Sequence, residues 1–501
     1  MRHELIVGSR GSALARIQAL AVGRALLERN PALHLRYVFA ESSGDRSRDP
    51  SAAAITQRGG FTEDLGRLLD ARRIDVAVHS WKDLPLRERP LTRVAASLPR
   101  ADARDLLLVR CAAIAGMAGE TLRVLSSSSR RRLNLESFMS WALPRPPAQV
   151  VFSPVRGDIE TRLAKLLRGD GDALVVAKAA IDRLLTAEGD EFALARARVR
   201  EALDQCRMIV LPLTLSPAAA GQGALALEVR RDAHGALGQL ADINDATTLE
   251  LVERERLLAG QLGDDDSPLG VTLQRYDFGD VEFVRGEHLG QAIEHVKLLR
   301  RGPALPRPQR LDQLWTGENP GAEIFERVAA SATLTQWNRH TGLLIARAEA
   351  LPETSRLSDE TIVWTAGLAT WRRLAARGVW VTGSDDSLGE SGALAIRHLY
   401  PQVSRWVKLT HEQGYDCEHA DMQPTYRLQR RRAPDSVHGH THFFWRSGSQ
   451  LLAYLREFPA LATAWHGSGP GNTLKIAQAK LGSLRARPFL SAAQFTAELA
   501  P

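Results

Sequence analysis

The chain has 501 residues, of which 44% are hydrophobic and 25% charged, and its formal net charge is +7. This length exceeds what one hydrophobic core supports and predicts three or four domains. No apolar run approaches the roughly 18 residues that span a bilayer, and no leader of the secretory type opens the sequence. We therefore expect a cytoplasmic protein that associates with no membrane, and we expect a monomer.

The positions of the cysteines and of the basic residues indicate which kinds of ligand the protein could bind. Cys111, Cys206 and Cys417 lie far apart, which excludes a disulfide framework and a paired-cysteine metal site. The basic residues lie in separated pairs and not in a stripe interleaved with aromatic side chains. This pattern favours an acidic small molecule over nucleic acid, and no metal site is predicted.

The first elements alternate between strands and helices, which is typical of a parallel, doubly wound sheet. Residues 4–8 predict a strand, 13–30 a helix and 34–40 a second strand, and a polar stretch at 45–60 predicts a mobile loop. The turn Ser9-Arg10-Gly11-Ser12 joins the first strand to its helix, so Arg10 and Ser12 are candidates to bind a carboxylate. The alternative is a plain strand-to-helix turn.

The stretch from Asp75 to Pro85 is the strongest candidate for chemistry. A helix at 61–71 precedes it, and a mainly apolar run at 74–78 predicts a buried strand that ends in His79, Ser80, Lys82 and Asp83. Ligands of open α/β sheets bind at such strand ends. A carboxylate here can face a cationic nitrogen while a neighbouring cation faces an acidic group. The alternative is a surface ion pair, which is common and contributes little.

Arginines follow three further predicted strands, at 123–125, 150–153 and 172–177, and a fourth strand is predicted at 106–110. Guanidiniums bind carboxylates through two parallel hydrogen bonds. A single arginine is more often a solvated surface residue, but arginines at successive strand ends of one sheet should converge on one cleft. The implied ligand is a polycarboxylate or a phosphate, and the candidate residues are Arg130, Arg131, Arg156, Arg162 and Arg183.

Residues 215–228 predict a glycine-containing turn and a strand that returns the chain to the first domain. A helix is predicted at 247–261, followed by the acidic loop 263–270. Its three consecutive aspartates lack the spacing of a calcium loop, so a solvated turn is the preferred interpretation.

The last two hundred residues predict a second α/β region after a proline-containing linker at 301–330. Strands are predicted at 341–347, 361–364, 378–383, 442–445 and 463–466, and helices at 369–377, after Ser449 and after Thr473. His438, His440 and His442 would share one face of a strand, where they could bind zinc. An exposed polar strand edge is the preferred interpretation.

Six motifs together resemble the porphobilinogen deaminase (hydroxymethylbilane synthase) family over residues 4–300. In chain order they are Ser9-Arg10-Gly11-Ser12, the stretch His79–Pro85, Ser127-Ser128 before Arg130-Arg131, Arg156-Gly157-Asp158 with Thr161-Arg162, Pro217 with Gly221-Gln222-Gly223, and Glu253-Arg254. The resemblance implies two doubly wound domains of the periplasmic-binding-protein type, a small α/β third domain and a covalent dipyrromethane cofactor.

The resemblance also implies an activity and roles for individual residues. The family joins four porphobilinogen units head to tail with loss of ammonia, as part of porphyrin and heme biosynthesis. Asp83 and Lys82 would be catalytic, with Asp83 handling pyrrole nitrogens and proton transfers. Lys82 and a set of hydroxyl and basic residues would bind the acidic side chains of substrate and cofactor: Arg10, Ser12, Arg58, Ser128, Arg130, Arg131, Arg156, Arg162 and Arg183.

One departure concerns the cofactor loop. The position of the family's cofactor cysteine is occupied by Asp265, and a carboxylate forms no stable thioether. Either chains are primed without covalent attachment, or the activity is altered or lost. A binding protein that has kept a polycarboxylate cleft is therefore an alternative to an enzyme, and a module of the periplasmic-binding-protein type is a third hypothesis, disfavoured by the Lys82-Asp83 pair.

Residues 331–501 weakly resemble uroporphyrinogen-III synthase, a lyase that cyclises hydroxymethylbilane. The resemblance rests on a strand followed by Ser447-Gly-Ser449, and on a strand followed by Gly469-Pro-Gly-Asn-Thr473. It implies that Ser447, Ser449 and Thr473 contact carboxylates and that Tyr426 assists loss of a hydroxyl. The alternative is a nucleotide- or phosphate-binding turn at 467–473. The predicted first domain comprises residues 1–100 and 205–230, the second 101–204 and the third 231–300. The linker at 301–330 and the C-terminal module at 331–501 follow.

Overall fold

The computed structural model describes residues 4–40, 60–300, 303–317, 324–330, 337–355, 357–390, 395–414 and 419–500. The chain divides into two compact units. The first comprises residues 1–140, 146–274 and 282–296, and the second comprises residues 141–145, 275–281 and 297–501. The predicted mobile loop at 45–60 lies almost entirely outside the described residues. No described helix is both long enough and apolar enough to cross a membrane.

The first sheet of unit 1 has the strand order β2-β1-β3-β10-β4. Its strands are β1 Glu4–Arg10, β2 His34–Ala40, β3 Val76–Ser80, β4 Thr92–Ala96 and β10 Leu225–Arg230. The strands β1, β2 and β3 run parallel, and β10 runs antiparallel to both β3 and β4. Among the described residues, these strands are accompanied by the helices α1 Ala13–Arg29, α2 Gly60–Asp70 and α8 His234–Ala241.

The second sheet of unit 1 repeats this arrangement in the order β7-β6-β8-β5-β9. Its strands are β5 Asp105–Arg110, β6 Thr121–Leu125, β7 Gln149–Ser153, β8 Ala173–Ala177 and β9 Cys206–Val210. Again the first three strands in the order are parallel and the fourth is antiparallel. Its helices are α3 Cys111–Ile114, α4 Ser129–Ala142, α5 Ile159–Leu167, α6 Lys178–Leu185 and α7 Ala193–Asp204.

The chain passes from the first sheet to the second and later returns. In each case the first strand after the passage is the antiparallel strand of the sheet that it enters. Strand β5 follows directly on β4, and β10 is the next strand after β9. The predicted fold class of two doubly wound α/β domains is therefore confirmed. The predicted boundary at 205 is wrong in detail, because Cys206–Val210 pairs with β5 and belongs to the second sheet.

A third, smaller part of unit 1 contains α9 Ala246–Leu262 and a sheet of order β11-β12-β13. Its strands are β11 Gly270–Tyr276, β12 Gly279–His288 and β13 Gln291–Arg300, and they extend across the boundary between the units. The predicted start of this part at residue 231 is too early. Helix α8 packs Ala236 and Leu240 into the core of the first sheet.

Unit 2 contains two further sheets, which confirms the predicted α/β class of the C-terminal region. One has the order β14-β21-β22-β23 with all neighbours parallel, and the other has the order β15-β20-β19-β16-β17-β18. The strands are β14 Leu314–Trp315, β15 Phe325–Ala329, β16 Thr341–Ile345, β17 Ile362–Thr365, β18 Gly383–Ser384, β19 Arg405–His411, β20 Asp421–Arg430, β21 His442–Trp445, β22 Trp465–Ser468 and β23 Ala486–Pro488. The helices are α10 Leu368–Ala376, α11 Gly448–Glu457, α12 Asn472–Leu481 and α13 Ala492–Leu499.

Three local predictions in this region are wrong. The stretch 301–330 is no plain linker, because β14 pairs with β21 and β15 pairs with β20. Most of 378–383 is no strand, because the chain leaves α10 there and pairs with β17 only from Gly383. The three histidines do not share a strand, since only His442 lies in β21, and it is buried.

Candidate active site

The candidate site forms where strands of both unit 1 sheets end. Arg10 ends β1, and a single 3-10 turn, Trp81–Asp83, follows β3 directly. Strand β10 runs antiparallel to β3 with Leu225 opposite Ser80, so the preceding loop 221–224 lies beside this turn. The pairing of β10 with β3 therefore brings residues of this loop next to Lys82 and Asp83, while the predicted convergence of the arginines on one cleft stays a prediction.

Asp83 and Lys82 occupy different environments within this turn. Asp83 is exposed, and its carboxylate receives no hydrogen bond from the residues that the structure describes. Lys82 is half-buried, and its Nζ donates to Oε1 of Gln222 at 3.0 Å. Burial lowers the pKa of Lys82 to about 8, and the positive charges of Arg131 and Arg130 act in the same direction, against Asp83 and Asp105. The turn therefore presents an available carboxylate beside a lysine that is easily deprotonated.

Asp105, which the sequence analysis did not single out, is the central acceptor of the site. Its fully buried carboxylate accepts from Arg131 Nη2 at 2.6 Å, from Arg130 Nη2 at 2.8 Å and from Gln222 Nε2 at 2.9 Å. Burial alone would raise the pKa of Asp105, but Arg131 and Arg130 outweigh it and hold that pKa far below its usual range. Because Asp105 begins β5 and Gln222 precedes β10, these bonds connect the two sheets.

Arg130 and Arg131 are consequently engaged with protein atoms. Arg130 also donates to the Pro217 carbonyl at 2.6 Å, and Arg131 to the Val175 carbonyl at 3.1 Å. Both side chains are buried, with 5% and 8% relative exposure. Asp105 offsets part of their positive charge in this structure, which a motif of adjacent arginines does not reveal. Their predicted role toward a ligand stays a prediction.

Arg162 and Arg10 belong to a more open part of the same cationic cluster. Burial lowers the pKa of Arg162, followed by the positive charge of Arg131, and Arg10 adds to this while Asp83 opposes it. Arg131, Asp83 and Arg10 therefore each lie within electrostatic reach of Arg162. The Nε of Arg162 donates to the Gly157 carbonyl at 2.8 Å.

The other predicted ligand-binding residues have varied surroundings. Arg156 is exposed, and Arg183 donates to the Gly223 carbonyl at 2.7 Å, with its pKa lowered by burial to about 10. Ser12 caps α1 by accepting from Ala15 N, and Ser128 accepts from Arg131 N. Arg58 lies outside the described residues.

A second pair that the sequence analysis missed secures the loop beside the turn. Arg100 and the buried Glu255 form two hydrogen bonds of 2.6 and 3.0 Å, and Glu255 also accepts from Gly221 N at 2.8 Å. Glu253, by contrast, is exposed. The Glu-Arg pair of α9 that faces inward is therefore Glu255 and Arg256, two residues after the pair on which the sequence analysis relied.

The cofactor-loop position is engaged without a thiol. Asp265 Oδ1 accepts from Leu86 N at 3.0 Å. Cys111 and Cys206 lie at the opposite end of β5 from Asp105, about 17 Å away at the usual rise per strand residue. Burial raises the pKa of Cys206 to about 12, with nearby Cys111 acting the same way, so Cys206 is a poor nucleophile. Cys417 lies outside the described residues.

In unit 2, Tyr426 lies within a cluster of basic side chains. It is buried and pairs in register with His411, whose ring centroid is 5.7 Å away. Burial raises the pKa of Tyr426, against the influence of Arg347 and Arg327. Burial lowers the pKa of His411, and Arg347 adds to this. An imidazole and two guanidiniums thus lie near the phenol of Tyr426.

The remaining predicted residues of unit 2 lie in the four-stranded sheet. Ser447 caps α11 by accepting from Gln450 N at 3.2 Å. Ser449 lies in the first turn of that helix, and Thr473 lies in the first turn of α12. Because β21 and β22 are parallel neighbours, both helix starts lie at one edge of the sheet. Tyr426 lies in the other sheet.

Comparison with known proteins gives a consistent result for the first half of the chain. A family model described as "Porphobilinogen deaminase, dipyromethane cofactor binding domain" matches residues 5–237. A porphobilinogen deaminase of Ralstonia nicotianae is 34% identical over 277 residues, which are 55% of this chain and 75% of that protein. One of Sorangium cellulosum is 37% identical over 256 residues, which are 51% of this chain and 77% of that protein.

Solved structures add little to this. An alkanesulfonate-binding protein of Xanthomonas axonopodis pv. citri is 15% identical, with a TM-score of 0.25, and the match covers 52% of this chain and 78% of that one. A TM-score this low carries no argument, so the fold assignment rests on the strand orders described above.

Proposed function

Because the chain belongs to the porphobilinogen deaminase family, a family of transferases, we propose that its first 300 residues join porphobilinogen units head to tail to form hydroxymethylbilane. The observation that carries the proposal is the exposed Asp83 carboxylate, which follows Lys82 directly in the turn after β3 and acts on the charge of Arg162, as Arg10 also does. A substrate with several carboxylates and one departing amine needs this combination of many cations and one available anion.

Asp83 is proposed to act on the reacting pyrrole. When ammonia leaves the aminomethyl group, the ring nitrogen's electron pair compensates the broken carbon–nitrogen bond, and positive charge spreads over the ring. A fixed anion beside that ring stabilises the charge without the need to reorganise water. After the next pyrrole carbon has attacked, the same carboxylate can accept the proton that this carbon releases.

The cations are proposed to bind the acidic side chains of the substrate. Arg10, Arg156 and Arg162 are the guanidiniums of the more open part of the site, and Lys82 is charged below a pH of about 8. Arg130 and Arg131 support the site through Asp105, and their proposed ligand role requires an acidic group to share or replace that partner. Ser12, Ser128, Arg183 and Arg58 complete the proposed set.

Dipyrromethane, the cofactor that the family model names, fits this chain in part. When bound, it supplies the pyrrole carbon from which the growing chain starts. Its acidic side chains match the guanidiniums at the strand ends, but a thioether has no partner at Asp265, whose carboxylate binds a backbone amide. We propose that any primer in this protein is held by its carboxylates and not by a covalent bond.

The test is porphobilinogen consumption by purified protein, paired with the intact mass before and after substrate. Turnover without added mass is expected. Added mass in pyrrole units would mean that another side chain anchors the chain. Asp83→Asn is expected to abolish consumption while leaving ligand binding measurable, and unchanged turnover in that variant would exclude the role of Asp83.

A second candidate function is a binding protein for linear tetrapyrroles or similar polycarboxylates. The engaged carboxylate at Asp265 favours it, because the residue expected to hold the primer has another partner. Tight binding of hydroxymethylbilane with neither turnover nor adduct would support this alternative over the enzyme.

For unit 2 we propose a cyclase module of the uroporphyrinogen-III synthase type. The supporting observation is the phenol of Tyr426 with Arg327, Arg347 and His411 around it, which suits departure of a hydroxyl from a polycarboxylate. Ser447, Ser449 and Thr473 are the proposed carboxylate contacts at the other sheet. Ring closure of added hydroxymethylbilane should be faster with wild-type protein than with Tyr426→Phe, and equal rates would exclude the role of Tyr426.

A further inference from the structure

The three consecutive aspartates after α9 make three different sets of contacts. Asp264 closes its own turn, because its Oδ1 accepts from Ser267 Oγ at 2.7 Å and from Asp266 N at 3.1 Å. Asp266 is exposed, and its carboxylate receives no hydrogen bond from the described part of the chain. Asp265 reaches a segment 179 residues away and accepts from Leu86 N at 3.0 Å. Asp265 therefore makes the long-range contact of this loop, whereas Asp264 makes contacts within the loop. Asp266 is the matched position for a control substitution.

The segment that Asp265 reaches follows the catalytic turn directly. Arg256, from the last part of α9, donates to the Leu84 carbonyl at 3.1 Å and to the Pro85 carbonyl. With Asp265 on Leu86 N, the third part of unit 1 thus holds backbone groups of three successive residues. Asp83, one residue before them, receives no hydrogen bond to its carboxylate within the described ranges, so its position depends on how its backbone is held.

Asp265 also balances the charge of Arg256. The half-buried Arg256 has its pKa lowered by burial, and the negative charges of Asp265 and then Glu88 oppose this. A neutral side chain at position 265 would leave Arg256 with less compensation, and a side chain without an acceptor would also release Leu86 N. A carboxylate satisfies both requirements at once, because it accepts the amide and faces the cation.

We propose that Asp265 is a positioning residue that fastens the segment behind Asp83 to the third part of unit 1. Its effect on catalysis rests on the proposed function, whereas the fastening itself does not. Loss of Asp265 should let the Lys82–Asp83 turn drift, and misplacement of a catalytic group by about 1 Å costs roughly a hundredfold in rate. We expect kcat to fall by roughly 10- to 100-fold, with KM within about twofold of wild type, because Asp265 contacts the chain and not the ligand.

The fastening is tested first by hydrogen exchange of the Leu86 amide, which requires no activity. Pro85 has no amide, so in a peptide that starts at Leu84 the Leu86 amide is the first one that keeps its label. Asp265→Ala should speed exchange by about tenfold or more, since a hydrogen bond to a charged group is lost. Asp265→Asn keeps an oxygen acceptor and should fall between Asp265→Ala and wild type. Asp266→Asn should match wild type, and equal exchange in Asp265→Ala and wild type would overturn the proposal.

Steady-state kinetics on porphobilinogen then test the catalytic consequence in the same variants. A fall in kcat at unchanged KM, partly restored in Asp265→Asn and absent in Asp266→Asn, supports positioning. A rise in KM at unchanged kcat would overturn it, because Asp265 would then contact the ligand. If Asp265→Ala does not fold, Asp265→Asn alone decides both measurements. If wild-type protein consumes no porphobilinogen, the proposed function fails, while the exchange comparison still decides the fastening.

Discussion

Two pairs of arginines in unit 1, Arg130 with Arg131 and Arg10 with Arg162, lie at or after the carboxyl ends of strands, yet their surroundings differ. Arg130 and Arg131 are buried and share Asp105 as their partner. Arg10 and Arg162 are half-buried near the exposed Asp83. The difference shows that a strand-end arginine identifies a cleft but not a role. A buried acidic partner such as Asp105 makes an arginine part of the framework, which the sequence motif alone does not reveal.

The largest effect should come from removing the shared partner of the buried pair. Asp105→Asn leaves two buried guanidiniums without a countercharge, and breaking a buried pair typically costs about 3–5 kcal/mol. We expect a clear fall in Tm by thermal unfolding. The matched control is Asp170→Asn, because Asp170 pairs with Arg168 at an exposed site and that variant should melt with wild type.

The pH dependence of this contribution has a definite sign. The folded pKa of Asp105 lies far below the ordinary value, so its stabilisation is complete above the ordinary carboxyl pKa and is lost only as the pH falls toward the folded value. The Tm difference between wild type and Asp105→Asn should therefore be constant from pH 5 to 8. A difference that disappears within this range would contradict the assignment of Asp105 as an ionised partner.

A substitution in the more open part of the cationic cluster should weaken ligand binding and leave the stability of the fold unchanged. Arg162→Ala removes a charge-assisted contact to a carboxylate, worth about 1.5–3 kcal/mol, which corresponds to roughly a 10- to 100-fold rise in KM. Its Tm should stay near that of wild type. Arg168→Ala, from the end of the same helix, is the control and should leave KM unchanged, and equal effects of the two variants would remove Arg162 from the site.

Lys82 should make ligand binding depend on pH. Its pKa of about 8 means that the ammonium is present at pH 7 and mostly lost at pH 9, so its attraction for a carboxylate weakens as the pH rises. We expect KM of the wild type to rise by up to roughly tenfold between pH 7 and 9. Lys82→Arg, which stays charged, should flatten this rise. Parallel profiles for the two proteins would mean that another group titrates.

The smallest change in Tm should come from an exposed ion pair whose interatomic distance is similar to those between Asp105 and its two buried arginines. Arg24 and Glu188 lie 2.8 Å apart, but their side chains are 55% and 71% exposed. Pairs of this kind contribute about 0.2–1 kcal/mol and are screened by salt. Glu188→Gln should shift Tm by little at low ionic strength and by nothing measurable in 0.5 M salt.

Much of the fold followed from local pattern, and the main errors arose from long-range pairing. The strand before Lys82 and the strands before the arginines are apolar runs that end in polar turns, so their positions were predictable. Asp105 was missed because its partners lie 25, 26 and 117 residues away. The stretch 301–330 was taken for a linker because of its prolines, yet its strands exist only through pairing with β20 and β21.

The sequence also left open which of two neighbouring Glu-Arg dipeptides of α9 faces inward. Glu253-Arg254 and Glu255-Arg256 are two copies of one dipeptide, and sequence order alone does not show which copy faces inward. In a helix, two residues turn the side chain by about 200°, so the choice places the carboxylate on nearly opposite sides. The backbone amides of Gly221 and Leu273 select Glu255.

The contacts of Glu255 give the third domain a structural task that does not depend on a primer. This domain supplies the carboxylate that neutralises Arg100 and accepts from Gly221 N, next to the loop that contains Gln222, the partner of Lys82. Deleting the domain would leave a buried cation and an unsatisfied amide beside the candidate site, so a truncated protein that ends after the first two domains should have lost the support of this loop.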